Sequence, residues 1–268
     1  MAKPRRPIET LPEAHFDFRR EHGTHRFTLS SGERVTAVSQ PSWQAFVASA
    51  ARMGNPGDYL LTPELITVSP EPTPAEFPQV PAMLESRHDK MRILSRWWPD
   101  AILVLGSLTL DTPRPRNELL FLQGGQITGH NPKLPYLASE AEVFHQAYDP
   151  SEHQQPNRTT VGMICSDLLF HSKEGGEQIT MLHRNLAAEY VDPIGPDVRT
   201  LLVSAAWITP YIPGIRPEQE GVRFIDPLQY AVRNLMDRHP GIQDVVMADQ
   251  LSPGTPASGP VNFHAQRA

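Results

Sequence analysis

Gly124 and Gly125 stand side by side between two β-rich runs, Glu118–Gln123 and Gln126–His130. Consecutive glycines accept the positive φ angles of a two-residue turn, so the pair predicts a tight antiparallel hairpin. A hairpin rules out a purely parallel sheet. The rest of the chain nevertheless alternates short apolar strands with amphipathic helices, the pattern of β–α–β units. Strands are predicted at Val35–Ser39, Tyr59–Thr62, Ala101–Leu108, Thr160–Ile164, Arg199–Ala206 and Asp244–Ala248, the last of these closing the series. Ser42 caps a predicted helix that runs to about Met53 and stops at Gly54. A second covers 82–98, with Leu84, Met91, Leu94 and Trp98 on one stripe, and others are expected near 177–190 and at Pro227–Arg238. Together these elements predict a layered α/β protein with mixed sheets.

The 268 residues, 39% of them apolar, suffice for one domain with a sizeable core. Residues 1–33 are polar and rich in His and Arg, and read as an N-terminal extension ahead of a domain at 34–251. Residues 252–268, opening Ser252-Pro253-Gly254, read as a flexible C-terminal tail. Prolines cluster between Pro70 and Pro81 and between Pro210 and Pro217, which predicts long, fixed surface loops.

A net charge of -6 argues against general nucleic-acid binding. The apolar runs are too short to span a bilayer, and no signal-peptide h-region precedes them, so no membrane partner is expected. The single cysteine permits no intramolecular disulfide, which points to a reducing, cytoplasmic setting. The eleven histidines include His15, His22 and His25 near the N-terminus, but none falls in a zinc-ligand spacing, so no metal site is expected. Gly124-Gly125 lacks the flanking pattern of a phosphate loop. Trp97-Trp98 reads as core or interface rather than a stacking platform.

That cysteine, Cys165, closes the run Val161-Gly162-Met163-Ile164-Cys165-Ser166-Asp167. A lone cysteine is commonly an inert, buried small hydrophobe. At a strand end it is also placed to be a nucleophile, provided a base takes its proton, because a free thiol titrates near pKa ~8.5. His171 is six residues away, but nothing around it matches a papain-like signature. Two other strand ends carry charge. Asp58-Tyr59-Leu60-Leu61-Thr62-Pro63-Glu64-Leu65 delivers a carboxylate, and the second hairpin strand runs through Asn131-Pro132 into Lys133-Leu134.

In this order, strand-Pro-Glu, hairpin-Lys-Leu and Gly-x-Ile-Cys-x-Asp, the chain resembles the nitrilase superfamily of carbon–nitrogen hydrolases. Val35–Pro41 is similar to that family's opening strand, Ile102–Ser107 to its strand ending in Gly-Ser, and Ser204–Trp207 to the strand end that walls its pocket. The resemblance covers about residues 35–250. It implies a four-layer αββα sandwich and a Glu64–Lys133–Cys165 triad. It further implies a second glutamate, Glu140 with Phe144 four residues on or else Glu142. Ser166 would supply an oxyanion donor, and Ala206 and Trp207 would line the substrate pocket. The implied activity is cysteine-dependent hydrolysis of a non-peptide C–N bond through a thioester. The substrate would be a small amide, carbamoyl amide or nitrile, with amides favoured. No cofactor is implied, and the expected partner is a second copy, in a homodimer or larger homo-oligomer. The alternatives are a catalytically altered binding protein on the same fold and an acyltransferase using the same triad. The chain departs from the family pattern after Asp167, where Leu168-Leu169-Phe170-His171-Ser172 replaces Phe-Pro-Glu. Gln40 to Glu64 is short for the family, and Cys165 to Trp207 is long.

Overall fold

A computed structural model of the chain describes residues 7–68, 75–110, 115–133, 154–164, 194–206, 225–250 and 260–268. Eleven described strands form two sheets. The first contains β2 (Gly23–Thr28), β3 (Arg34–Ser39), β4 (Tyr59–Leu61), β5 (Ile102–Thr109), β6 (Arg116–Gln123) and β7 (Gln126–Pro132), in that spatial order. The second runs β1 (Ala14–Arg19), β11 (Asn262–Arg267), β10 (Asp244–Asp249), β9 (Thr200–Ala205) and β8 (Thr160–Ile164). Each is mixed. In the first, β3, β4 and β5 are parallel and the outer pairs antiparallel; in the second, β8, β9 and β10 are parallel.

The layering follows from side-chain alternation along the strands. Val35, Ala37, Tyr59, Leu61, Val104, Leu119 and Phe121 share a core with the second sheet. Their neighbours Val38, Leu60, Leu103, Leu105, Leu120 and Leu122 pack instead on α1 (Trp43–Arg52) and α2 (Val80–Trp97), through Phe46, Met91 and Leu94. In β9, by contrast, Leu201, Leu202 and Val203 are all buried, one face against the first sheet and the other toward α3 (Ile225–Arg238) with Leu228, Val232 and Leu235. Each such Leu or Phe contributes about 1.5–3 kcal/mol by leaving water. The result is a helix–sheet–sheet–helix sandwich.

Local signals set the elements. Ser42 caps α1, its Oγ accepting from the Ala45 N–H at 3.2 Å. Pro81 sits in the first turn of α2, where its missing N–H costs nothing. Leu84, Met91 and Leu94 are the buried stripe, and Trp98 packs partly buried against it while Trp97 is exposed. Gly124 and Gly125 make the hairpin turn with φ of 57° and 88°. The helix expected near 177–190 lies outside the described residues.

The two chain ends differ from expectation. The N-terminal segment, expected as an extension, supplies β1 and β2, and the expected tail supplies β11, so Asp244–Asp249 is not the last strand. β11 lies between β1 and β10, antiparallel to both. The physical reason is hydrogen bonding: β10 is fully buried, and its free edge would leave a row of unpaired peptide groups.

Candidate functional site

The carboxyl ends of β4, β5 and β9 meet the start of β6 and the end of β7. Beyond β4 the chain continues Thr62-Pro63-Glu64. The Thr62 N–H donates to the Val104 carbonyl at 3.0 Å, and its Oγ1 accepts from the Gly106 N–H at 3.0 Å, which holds this segment against β5. Glu64 then bonds across to the second sheet, its N–H donating to the Ala205 carbonyl at 3.2 Å. The contact is so close that only glycine fits at 106. A Cβ there would lie 2.2 Å from the Pro63 carbonyl oxygen and 2.7 Å from both Glu64 Cα and Ser204 Oγ. Leu65 follows with φ of 56°, the one positive value among described non-glycine residues. Such a backbone is strained for leucine and turns the chain sharply after Glu64.

Glu64 is buried, and three donors from three strands or strand ends fix its carboxylate. Oε1 accepts from Lys133 Nζ at 2.7 Å and from Asn117 Nδ2 at 2.6 Å, and Oε2 accepts from the Ala206 N–H at 3.2 Å. Lys133 follows the last residue of β7, and its N–H donates to the Asn117 carbonyl at 2.8 Å. A β-bulge brings it there. The β6–β7 pairing starts as Gln123↔Gln126 and Leu122↔Ile127, then shifts to Phe121↔Gly129 and Glu118↔Pro132. Without that extra residue Lys133 would face Arg116, on the helix side of the sheet; with it, Lys133 stands opposite Asn117 on the side of Glu64.

β8 ends beside these groups. Ile164, its last residue, pairs with Ser204, one residue before Ala205. Asn131 ties β7 to β8, donating from Nδ2 to the Gly162 carbonyl at 3.0 Å. Cys165 is next in the sequence after Ile164, and it lies outside the described residues with Ser166, Glu140, Glu142 and Trp207. Of the residues expected from the sequence, the structure thus brings together Glu64, Lys133 and Ala206. Asn117 was not foreseen; it sits where the hairpin partner of Lys133 must be, but only the bulge identifies that partner.

A second polar group lies behind the Glu64 turn, on the helix side of the sheet. Ser107 Oγ is 2.6 Å from His88 Nε2 of α2 and 2.9 Å from Thr67 Oγ1, and Arg87 donates to the Thr67 carbonyl. Burial, and secondarily Arg92, holds the His88 imidazole below the ordinary histidine value, with Asp89 opposing. Among the described residues no cluster of His, Cys, Asp and Glu could hold a metal ion, and no helix is long and apolar enough to cross a membrane.

No protein-family model and no curated protein matches this sequence. Solved structures do match in fold. A carbon–nitrogen hydrolase from Helicobacter pylori G27 superposes with a TM-score of 0.53 at 12% identity, over 94% of this chain and 80% of that one. A mutant of the Nesterenkonia AN1 amidase from the nitrilase superfamily superposes with a TM-score of 0.50 at 17% identity, over 97% and 93%. The chain also spans 38% of the length of a glutamine-dependent NAD+ synthetase from Acinetobacter baumannii, at 18% identity and a TM-score of 0.48. The two sheets with their flanking helices are thus the fold of nitrilase-superfamily hydrolases.

Proposed function

We propose that this chain, built on the fold of the nitrilase-superfamily amidases, is a cysteine-dependent hydrolase of non-peptide C–N bonds, with small amides as its first substrate class. The observation that carries the reading is the buried pair of Glu64 and Lys133, 2.7 Å apart at strand ends, beside the end of the strand that leads into Cys165. A buried carboxylate and ammonium have little structural reason to be there, since a well-packed apolar pair would be as stable or more so.

In the proposed reaction Glu64 accepts the Cys165 thiol proton on Oε2, the oxygen with one donor and spare acceptor capacity. The thiolate adds to the amide carbonyl carbon. Lys133 and the Ser166 N–H stabilise the oxyanion that forms, as fixed donors in a water-poor site do. Glu64 then gives its proton to the leaving nitrogen, the C–N bond breaks, and an acyl thioester remains. Water adds next, its proton going to Glu64, and the acid leaves as the thiol is restored. Glu140, or Glu142, orients Lys133 or the substrate nitrogen, while Ala206 and Trp207 wall the pocket. The enzyme works as a homodimer or larger homo-oligomer in the cytoplasm; the single cysteine, which can form no internal disulfide, supports the reducing compartment.

Intact-mass spectrometry tests this reading. Incubation with a panel of amides and nitriles is expected to leave an acyl adduct on the wild-type chain and none on Cys165→Ala. Absence of an adduct with every compound, together with unchanged behaviour of Cys165→Ala toward the same compounds, would sink the enzyme in favour of a binding protein. An adduct discharged by added amine but not by water would make it an acyltransferase.

A further inference from the structure

Asn117 lies on β6 with its side chain toward the second sheet, in the same row as Leu119 and Phe121. It is 4% exposed. Nδ2 donates to Glu64 Oε1, and the backbone carbonyl accepts from the Lys133 N–H. Its Oδ1 is buried and has no partner among the described residues. A buried amide normally satisfies both ends, and an apolar residue would continue the row without that penalty. The amide cannot turn over to relieve it, because Oδ1 would then face Oε1, acceptor against acceptor. The carboxylate therefore dictates which way the asparagine points, and packing does not explain why an asparagine is there.

We infer that Asn117 is a positioning residue for the Glu64–Lys133 pair. Its side chain holds the carboxylate and its backbone holds the lysine, so one residue sets the spacing between base and ammonium. With Oε1 taken by Asn117 and Lys133, the incoming proton is directed to Oε2. The inference rests on the reading of Glu64 as the base that serves Cys165.

The test uses the thiol itself. The chain has one cysteine, so an iodoacetamide adduct that appears by intact mass on a protein and not on its Cys165→Ala counterpart reports Cys165. Alkylation rates are measured for wild type, Asn117→Ala, Asn117→Asp and Glu64→Gln across the range where carboxylates and thiols titrate, with the Tm of each protein. Asn117→Ala is expected to react about 10–100-fold more slowly, the scale of a misplaced catalytic group, with a Tm lowered only as far as one lost buried hydrogen bond requires. Asn117→Asp keeps the shape but adds a charge beside Glu64, which moves the acid limb of the profile to higher pH. Wild-type rates and profiles in both Asn117 variants, with Glu64→Gln slow, overturn the inference and leave the proposed function standing. A wild-type rate in Glu64→Gln removes the base, and the inference with it. A slower Asn117→Ala with a matching drop in Tm, together with an unmoved Asn117→Asp profile, assigns the residue to packing and also overturns it.

Discussion

Lys133 Nζ lies 2.7 Å from Glu64 Oε1, and the two side chains are only 6% and 4% exposed. Each charge is tolerable there because of the other. Lys133→Met should therefore cost about 3–5 kcal/mol in urea unfolding, mostly from the stranded carboxylate. Adding Glu64→Gln to it should restore most of that loss. A double variant as unstable as the single one would mean that the pair is not coupled.

Gly106→Ala places a methyl group against the Pro63 carbonyl, which is backbone and cannot swing away. The expected loss is about 1–3 kcal/mol, typical of overpacking. The Glu64 turn must also shift, so acylation of Cys165 should fall with it. Thermal unfolding and adduct formation, measured on the same preparation, check both effects.

His88 should make stability depend on pH. Its folded value lies below the ordinary 6.5, so in the window just below 6.5 the unfolded chain binds more protons than the folded one. The contribution is present above 6.5 and is lost as pH falls toward the lowered value. Protonation makes Nε2 an obligatory donor toward Ser107. The urea midpoint of wild type should fall across that window, and that of His88→Gln should fall less. Parallel curves would remove His88 from the account.

Deleting residues 260–268 takes out the strand between β1 and β10. The shortened chain should lose its cooperative thermal transition by circular dichroism rather than lose a mere appendage. A transition within a few degrees of wild type would show that β11 is dispensable.

Much of the interior was legible because its signals are local. Val35–Ser39, Thr160–Ile164 and the Ser42 cap each declare themselves within a few residues, and the structure keeps them to within a residue. β1 carries a signal too: Ala14, Phe16 and Phe18 alternate with His15, Asp17 and Arg19, yet the charge made it read as an arm. β11 has only Phe263 and Ala265 as apolar residues, and its place is decided by the unpaired edge of β10, about which its own sequence says nothing. Glu64 and Lys133 were legible as strand-end charges. Asn117 was not, because its role depends on a one-residue register shift between Phe121 and Leu122, and a slip of that size moves every later side chain to the opposite face.

The interleaving of β11 between β1 and β10 also imposes a timetable on folding. β1 leaves the ribosome well before its sheet partner, because most of the sandwich is encoded between the two strands. At about 5–20 residues per second, the wait is on the order of tens of seconds. Through that interval Phe16 and Phe18 have no Phe263 to pack against, and the nascent chain carries an aromatic strand with nothing to pair it. Elongation speed and chaperone access during those seconds, more than the final stability of the sandwich, should set how much of the protein reaches its native state.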